Sequence, residues 1–317
     1  MRYGTIPGIS KKVSRLVQGT VMVEKANEAN FRFLDQIFEL GCTTFDTAHV
    51  YGNGAVERAF GAWVNARGLR DEVVILGKGA HHNEDRKRVT PYDITADLHD
   101  SLARMNIDKI DLYLLHRDDE NVPVAELVDV LNEHKNAGLI DAFGGSNWSH
   151  ERIEAANAYA QQNGLTEFVV SSPNFSLAEQ VKEPWEGCVS ISGEGGAEAR
   201  SYYREKALPL FTWSSLAGGF FSGRFKRGNL DSFDDYFGKL CVESYCYEEN
   251  FQKLDRVKQL AAELNLSVPQ LALAYVLNYD LDIYALIGAG TPAEFKDNLV
   301  ALDTELSAEQ LEWLESG

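Results

Sequence analysis

The sequence is short of positive charge. Thirty Lys and Arg residues stand against forty-eight Asp and Glu, a formal net charge of −18 at pH 7, which repels nucleic acid phosphates and anionic lipid alike. Neither nucleic acid nor a membrane surface is therefore expected as a partner. No apolar stretch approaches the roughly 18 to 20 residues that cross a bilayer, and the opening MRYGTIPGISKKVSRL lacks the apolar core of a signal peptide, so a cytoplasmic protein is expected. Cysteine is scarce too. Cys42, Cys188, Cys241 and Cys246 show no CxxC spacing, which predicts reduced thiols. Cys241 and Cys246 would need further ligands to hold a metal and no histidine lies near them, so no metal is expected. Two further absences concern the fold: no GxGxxG follows the first apolar run, and no Pro/Ser-rich linker divides the chain.

What is present is an ordinary globular composition, 317 residues with 44% hydrophobic and 25% charged. Short apolar runs alternate with longer helical patterns, the mark of βαβ units on a parallel sheet. Eight such runs occur: RLVQG from Arg15, TTFD from Thr43, EVVILGK from Glu72, KIDLYLLH from Lys109, IDAFGGS from Ile140, EFVVSS from Glu167, LPLFTWS from Leu208 and IYALIGA from Ile283. In NEANFRFLDQIFELG, Phe31, Leu34, Ile37 and Phe38 share a helical face and Gly41 supplies the stop. In TPYDITADLHDSLARM, Thr90 is the expected cap and Pro91 opens the first turn. The expected fold is an α/β class (β/α)8 TIM barrel, a single domain over 1–317, with an N-terminal β-hairpin at the barrel bottom. Two long connections, Ser176 to Ala207 after the sixth strand and Phe220 to Glu249 after the seventh, belong on the face where barrel enzymes do chemistry.

The strand ends carry the chemistry. Asp46 ends the second strand with Tyr51 just beyond, Lys78 ends the third, His116 the fourth, Ser146 and Asn147 the fifth, and Trp213 and Ser214 the seventh. Singly, such residues are commonly caps, half-buried packers or solvated charges; together an Asp, a Tyr, a Lys and a His at one end of consecutive strands form a titratable cluster. A phenol of pKa about 10 is a poor acid at neutral pH, and a neighbouring ammonium would make Tyr51 a better donor. Lys78 would supply that charge, Asp46 would hold Lys78, and neutral His116 would donate to an oxygen where negative charge develops. The set suits reduction of a carbonyl.

These residues resemble the catalytic tetrad of the aldo-keto reductases. The likeness runs along nearly the whole chain, through KVSRLVQGT, GCTTFDTAHVYG, LYLLHRDD, GGSNWS, FTWSSLAGGFFSGRF and IGAGTPAEFKDNL. It implies a barrel that binds NAD or NADP in extended form without a Rossmann domain, and reduces an aldehyde or ketone, sugar-derived carbonyls included, reversibly. By this resemblance Ser146 and Asn147 would hold the carboxamide, Trp213 would stack on the nicotinamide, and Ser214, Leu216 and Gly218 would present backbone to the pyrophosphate. Gly19 and Thr20 would line the site, and Asn298 would meet the adenine. Where the family usually carries Gln, this chain has Ser172, with Asn174 two residues on as a substitute.

The strand-eight segment departs further. Many relatives place Lys or Arg there for the 2′-phosphate of NADP, whereas this chain reads Gly288, Ala289, Gly290, Thr291 and then Glu294, with Lys296 the first cation. A carboxylate repels that phosphate and suits a ribose diol, so NAD is expected to serve at least as well as NADP. Arg224 or Arg227 reaching in from the long loop is the competing arrangement. Trp148, Phe175, Trp185 and Tyr202 are the expected aromatic walls for a small carbonyl or polyol substrate, with Asp118 and Asp119 for hydroxyls. His81 and His82 follow Lys78 and could line the mouth or, with more ligands, hold zinc. The alternative to an enzyme is a cofactor-binding regulatory subunit with little turnover.

Overall fold

The computed structural model describes residues 1–317. Two short strands, β1 (Tyr3–Gly4) and β2 (Val13–Ser14), pair antiparallel as a hairpin. The chain then alternates: β3 (Leu16–Gly19), α1 (Glu28–Glu39), β4 (Thr44–Asp46), α2 (Ala55–Arg67), β5 (Val74–Gly79), α3 (Pro91–Met105), β6 (Ile110–Leu115), α4 (Val124–Asn136), β7 (Ile140–Ser146), α5 (His150–Asn163) and β8 (Val170–Ser172). It continues through α6 (Ala197–Lys206), β9 (Leu210–Thr212), α7 (Tyr236–Tyr245), α8 (Glu248–Leu264), α9 (Val268–Asn278), β10 (Ile283–Ile287), α10 (Pro292–Asn298) and α11 (Ala308–Ser316). Strands β3 to β10 close into an eight-stranded barrel in the order β10-β3-β4-β5-β6-β7-β8-β9. This is the (β/α)8 architecture read from the sequence, and each of the eight apolar runs holds one barrel strand.

Local sequence explains the elements. Parallel strands covered on both faces read as unbroken apolar runs, and every residue of β5 and β6 is buried. Asn27 caps α1 and Thr90 caps α3, each accepting from a backbone N–H in the first turn, while Gly41 beyond α1 takes φ 93°, open to glycine without penalty. Helix α2 lies so close to α3 that a Cβ on Gly61 would come within 2.4 Å of the Met105 backbone.

The chain divides into two compact units, Met1–Ser172 with Gly288–Pro292, and Pro173–Ile287 with Ala293–Gly317. In the first, Phe45 packs on Phe60 and Trp63 at ring separations of 5.5 and 5.2 Å. Its hairpin lies over the N-terminal ends of the strands: Ser14 N–H donates to Thr44 Oγ1 at 3.0 Å, and Lys11 binds the Val73 carbonyl at 2.8 Å. Lys11 and Arg70 both pair with buried Asp111, at 2.7 and 2.9 Å, fastening the bottom rim. The second unit has its own core, with Phe211 stacked on Tyr284 at 4.8 Å and Phe220 against Phe251 at 5.2 Å. No single helix is long and apolar enough to cross a membrane. Cys42, Cys188 and Cys241 are buried and all four cysteines are free thiols.

Candidate active site

Asp46, Lys78 and His116 stand at the C-terminal ends of β4, β5 and β6, three neighbours in the barrel. Tyr51 follows β4 in a short turn that is stitched to β5, since Thr47 N–H donates to the Leu76 carbonyl at 2.9 Å and His49 N–H to the Lys78 carbonyl at 2.8 Å. Three successive residues, Gly52 (φ 53°), Asn53 (φ 50°) and Gly54 (φ 84°), are left-handed, so the turn needs glycine for its path. Gly54 serves a second purpose. A Cβ there would lie 2.6 Å from Arg104 Nε, and Arg104 fills that space to donate to the His49 carbonyl and to Glu57 Oε2, both at 2.9 Å.

The four side chains meet. Lys78 Nζ donates to Asp46 Oδ1, to the Thr47 carbonyl at 3.3 Å and to Tyr51 Oη at 3.4 Å. The Tyr51 and His116 rings lie 5.9 Å apart, edge to face at 81°. Burial pulls Lys78 toward its neutral form, but the charges of Asp46 and Tyr51 outweigh it and hold the ammonium above the usual lysine value. Burial pushes the Asp46 carboxyl upward against the pull of Lys78. On Tyr51 burial also prevails: the phenol is raised above its ordinary value although Lys78 draws it down. The expectation that the ammonium leaves Tyr51 a stronger acid is thus corrected, because desolvation of the phenolate costs more than the ammonium returns. His116 is held well below the usual histidine value by burial and then by Lys78 and Arg117. Its Nδ1 is buried without a partner.

The expected substrate residues separate. Trp148 is fully buried, donates from Nε1 to the Arg117 carbonyl at 3.1 Å and packs on Phe168 at 5.1 Å, a core residue rather than an exposed wall. Gly145 makes room for it, since a Cβ there would be 2.6 Å from its ring. Asp118 is held in a two-point pair with Arg152 at 2.8 and 3.0 Å, and so braces the loop instead of awaiting hydroxyls. Asp119 accepts from Asn121 at 2.9 Å and pairs with Lys87 at 3.5 Å. In the second unit Phe175 is 1% exposed, wedged against Tyr279 at 4.9 Å, a core residue rather than a wall. Trp185 is 37% exposed, lies 6.2 Å from the Trp213 ring and donates to Tyr236 Oη at 2.7 Å. Tyr202 lies on α6 beside Tyr203 at 5.5 Å.

Several residues escaped the sequence reading. Arg117 is buried beside His116 and donates to its carbonyl at 2.8 Å; the motif HRDD contains it, but an arginine after a strand reads as solvated. Asp97, on α3, is buried and accepts from Ala80 N–H at 2.9 Å and Arg88 at 2.5 Å. No group of three or more His, Cys, Asp or Glu side chains is placed to hold a metal ion.

Residues assigned to a nicotinamide cofactor occur in each unit. In the first, Gly19 pairs with Asp46 in the β3–β4 register, and Thr20 spends both its N–H and hydroxyl on the Asp46 carbonyl, at 2.9 and 2.8 Å. Ser146 and Ser172 sit side by side on β7 and β8. Asn147, left-handed at φ 58°, donates to Ser146 Oγ at 3.2 Å and the His116 carbonyl at 3.3 Å, and the buried Ser172 Oγ has no partner. An orphaned hydroxyl beside an amide is the donor and acceptor set a carboxamide satisfies. Gly288 and Gly290 are exposed after β10.

In the second unit, Trp213 and Ser214 follow β9, and the chain turns left-handed at Ser214 (φ 52°), Ala217 (φ 53°) and Gly218 (φ 61°). Within this turn the Ala217 N–H donates to the Ser214 carbonyl at 2.7 Å and the Gly219 N–H to the Leu216 carbonyl at 3.1 Å. Asn174 does not replace the family's Gln, because its amide is committed to the Trp213 carbonyl at 3.0 Å, Tyr245 Oη at 3.3 Å and Ser190 Oγ at 2.8 Å. Glu294 is exposed and Asn298 buried. Arg227 is committed to Glu248 and Asp255 at 2.8 and 2.9 Å, and Arg224 lies 3.6 Å from Asp235.

A barrel with these four side chains at its strand ends is the frame of a carbonyl oxidoreductase. Residues 15–316 match the Aldo/keto reductase family, and the chain belongs to it, among NAD(P)-dependent oxidoreductases that reduce carbonyl compounds. It is similar to an uncharacterized oxidoreductase, YrpG, of Bacillus subtilis (strain 168), 26% identical with 99% of this chain and 95% of that one covered. It is also similar to a probable voltage-gated potassium channel subunit beta of Oryza sativa subsp. japonica, 28% identical over 96% of this chain and 92% of the relative. A solved thermostable aldo-keto reductase in complex with the inhibitor epalrestat superposes with a TM-score of 0.75, covering 100% of this chain and 99% of that one at 19% identity. At that identity the likeness is one of fold.

Proposed function

We propose that the chain reduces an aldehyde or ketone to the alcohol, reversibly, with Tyr51 as the proton donor. The observation that carries this reading is the single ammonium of Lys78 bonded to both Asp46 and Tyr51, with the His116 ring beside the phenol. Neutral His116 donates to the carbonyl oxygen and holds it against Tyr51. When bound, a reduced nicotinamide would supply hydride to the carbonyl carbon. Tyr51 gives its proton to the carbonyl oxygen, and Lys78 stabilises the phenolate left behind. Asp46 keeps Lys78 in reach of the phenol throughout. Ser146, Asn147 and Ser172 are the proposed carboxamide contacts.

Replacing Tyr51→Phe removes the proton and leaves the ring. We expect cofactor binding, followed by quenching of protein fluorescence, to persist while kcat falls by about 10²- to 10⁴-fold; turnover within a few-fold of the parent would refute the assignment.

The finer reading of the cofactor is that NADH serves at least as well as NADPH. It is supported by the exposed carboxylate of Glu294 after β10 and by the occupation of Arg227 with two acidic partners. The ratio of kcat/KM for the two cofactors decides it, and a preference for NADPH on the order of a hundredfold, about 2.7 kcal/mol, would sink it.

The channel-subunit name of the rice relative favours a second reading, a cofactor-binding regulatory subunit. The assembled tetrad favours turnover. Bound NADH or NADPH oxidised within seconds of adding carbonyl compounds would exclude a purely sensing role.

A further inference from the structure

His81 has no part in the roles assigned above, yet its ring lies 4.8 Å from that of His116, edge to face at 75°. That is nearer than Tyr51 stands. His82 packs on its other side at 4.2 Å. His81 Nδ1 is 2.8 Å from the His82 carbonyl oxygen. A carbonyl can only accept, so Nδ1 carries the hydrogen and Nε2 of the neutral ring is an acceptor lone pair. The ring stays neutral at working pH, because burial, opposed by the His82 carbonyl, and then the charge of Arg117 lower its pKa to about 4. Nε2 makes no hydrogen bond within the protein, and the residue is half-buried.

The backbone ahead of this ring is held in an unusual conformation. Between Lys78 and His81 the chain turns at Ala80, which takes φ 61°, a strained region for a residue with a Cβ. Buried Asp97 holds the strained peptide by accepting the Ala80 N–H, and Arg88 braces Asp97 in turn. Beyond it, Arg86 closes a two-point pair on Asp93, at 2.7 Å for each bond. Backbone strain of this kind persists where the surroundings over-determine it, and it gathers at functional sites.

Near His116, Lys78, Arg117 and the Tyr51 hydroxyl present hydrogens or positive charge. The reacting carbonyl oxygen can use those donors. A hydroxyl on the next carbon needs an acceptor, and His81 Nε2 supplies one. We propose that His81 accepts a hydrogen bond from a hydroxyl on the carbon adjoining the reacting carbonyl. The preferred substrates are then α-hydroxy aldehydes and α-hydroxy ketones, and in the reverse direction vicinal diols. The inference rests on the reductase reading above and names the substrate class of that same site.

The test uses matched pairs differing by one hydroxyl, lactaldehyde against propanal and hydroxyacetone against acetone, with the purified protein and either NADH or NADPH. Wild type is expected to show kcat/KM ten- to a hundredfold higher for the hydroxylated member, since a site built to bond a hydroxyl discriminates against its absence. His81→Phe keeps an aromatic ring without the acceptor and should bring both ratios toward one, chiefly through KM for the hydroxylated member. His81→Gln, whose amide oxygen accepts, should restore part of the preference. Thermal melts establish that each variant is folded, and if His81→Phe is not, the wild-type ratios and His81→Gln carry the test. Wild-type ratios near one, ratios unchanged in His81→Phe, or equal losses for both members of a pair would each overturn the proposal while leaving the reductase reading intact. Failure of wild type to reduce any carbonyl compound would instead overturn that reading, and the role of His81 with it.

Discussion

Burial and a neighbouring ammonium act on Tyr51 in opposite directions, and burial prevails. The phenol therefore remains protonated beyond its ordinary value of about 10. A proton donor must hold its proton, so kcat/KM for reduction should stay level through neutrality and fall only above about pH 10. His116 adds no limb near neutrality, since its pKa is depressed and the ring is already neutral there. A pH profile of kcat/KM at saturating cofactor checks this, and a fall centred between pH 7 and 9 would contradict it. The residues of the tetrad were legible in the sequence because strand ends of a barrel converge whatever their separation along the chain. The direction of the Tyr51 shift was not, because it depends on how much water the fold removes. Trp148 and Phe175 were misread for a related reason: a sequence shows that an aromatic follows a strand, not which side of the wall it faces.

The turn carrying Tyr51 depends on two helices that touch no substrate. Arg104 on α3 reaches back to the His49 carbonyl and is paired with Glu57 of α2, whose side chain is 0% exposed. Replacing Arg104→Met leaves a buried carboxylate uncompensated, which should cost about 3 to 5 kcal/mol and lower Tm by roughly 5 to 15 °C. Pairing it with Glu57→Leu should recover much of that loss, because a buried ion pair replaced by apolar groups is often neutral. Turnover should stay reduced in the double variant, since the His49 carbonyl has still lost its donor; thermal melts and kcat together test the pair. Elements were legible where pattern is local: apolar runs gave the strands, and Asn27 and Thr90 gave helix starts. The Arg104–Glu57 bond was hidden, as both residues lie in helical stretches where charges normally face water. So was Asp97, whose work is done on a peptide of another element.

Acid should affect the whole molecule in two opposing ways. At pH 7 the chain carries −18, and its pI lies near 4.8, so lowering the pH relieves self-repulsion. At about 0.15 M salt, exposed charges are screened beyond roughly 8 Å, and that relief is small. The buried histidines count the other way. His81 and His116 have folded pKa values below the ordinary value of about 6.5, so below that pH the unfolded chain binds the extra protons and gains in stability relative to the folded one. Tm should accordingly decline as pH falls from about 6.5 toward 4, the window of His81, and decline less in His81→Phe. Calorimetry across that range decides, and a Tm that rises on acidification would show that charge relief dominates.

The closure at the barrel's lower rim, with Lys11 and Arg70 gripping Asp111 beneath the hairpin, has a consequence for how such a protein diversifies. Fastening and chemistry occupy opposite ends of the same strands. Substitutions that retune what the mouth accepts fall on residues that do not hold the lower rim together, so a lineage can explore new substrates without eroding the closure beneath them. Selection can act on the two ends almost as if they were separate genes.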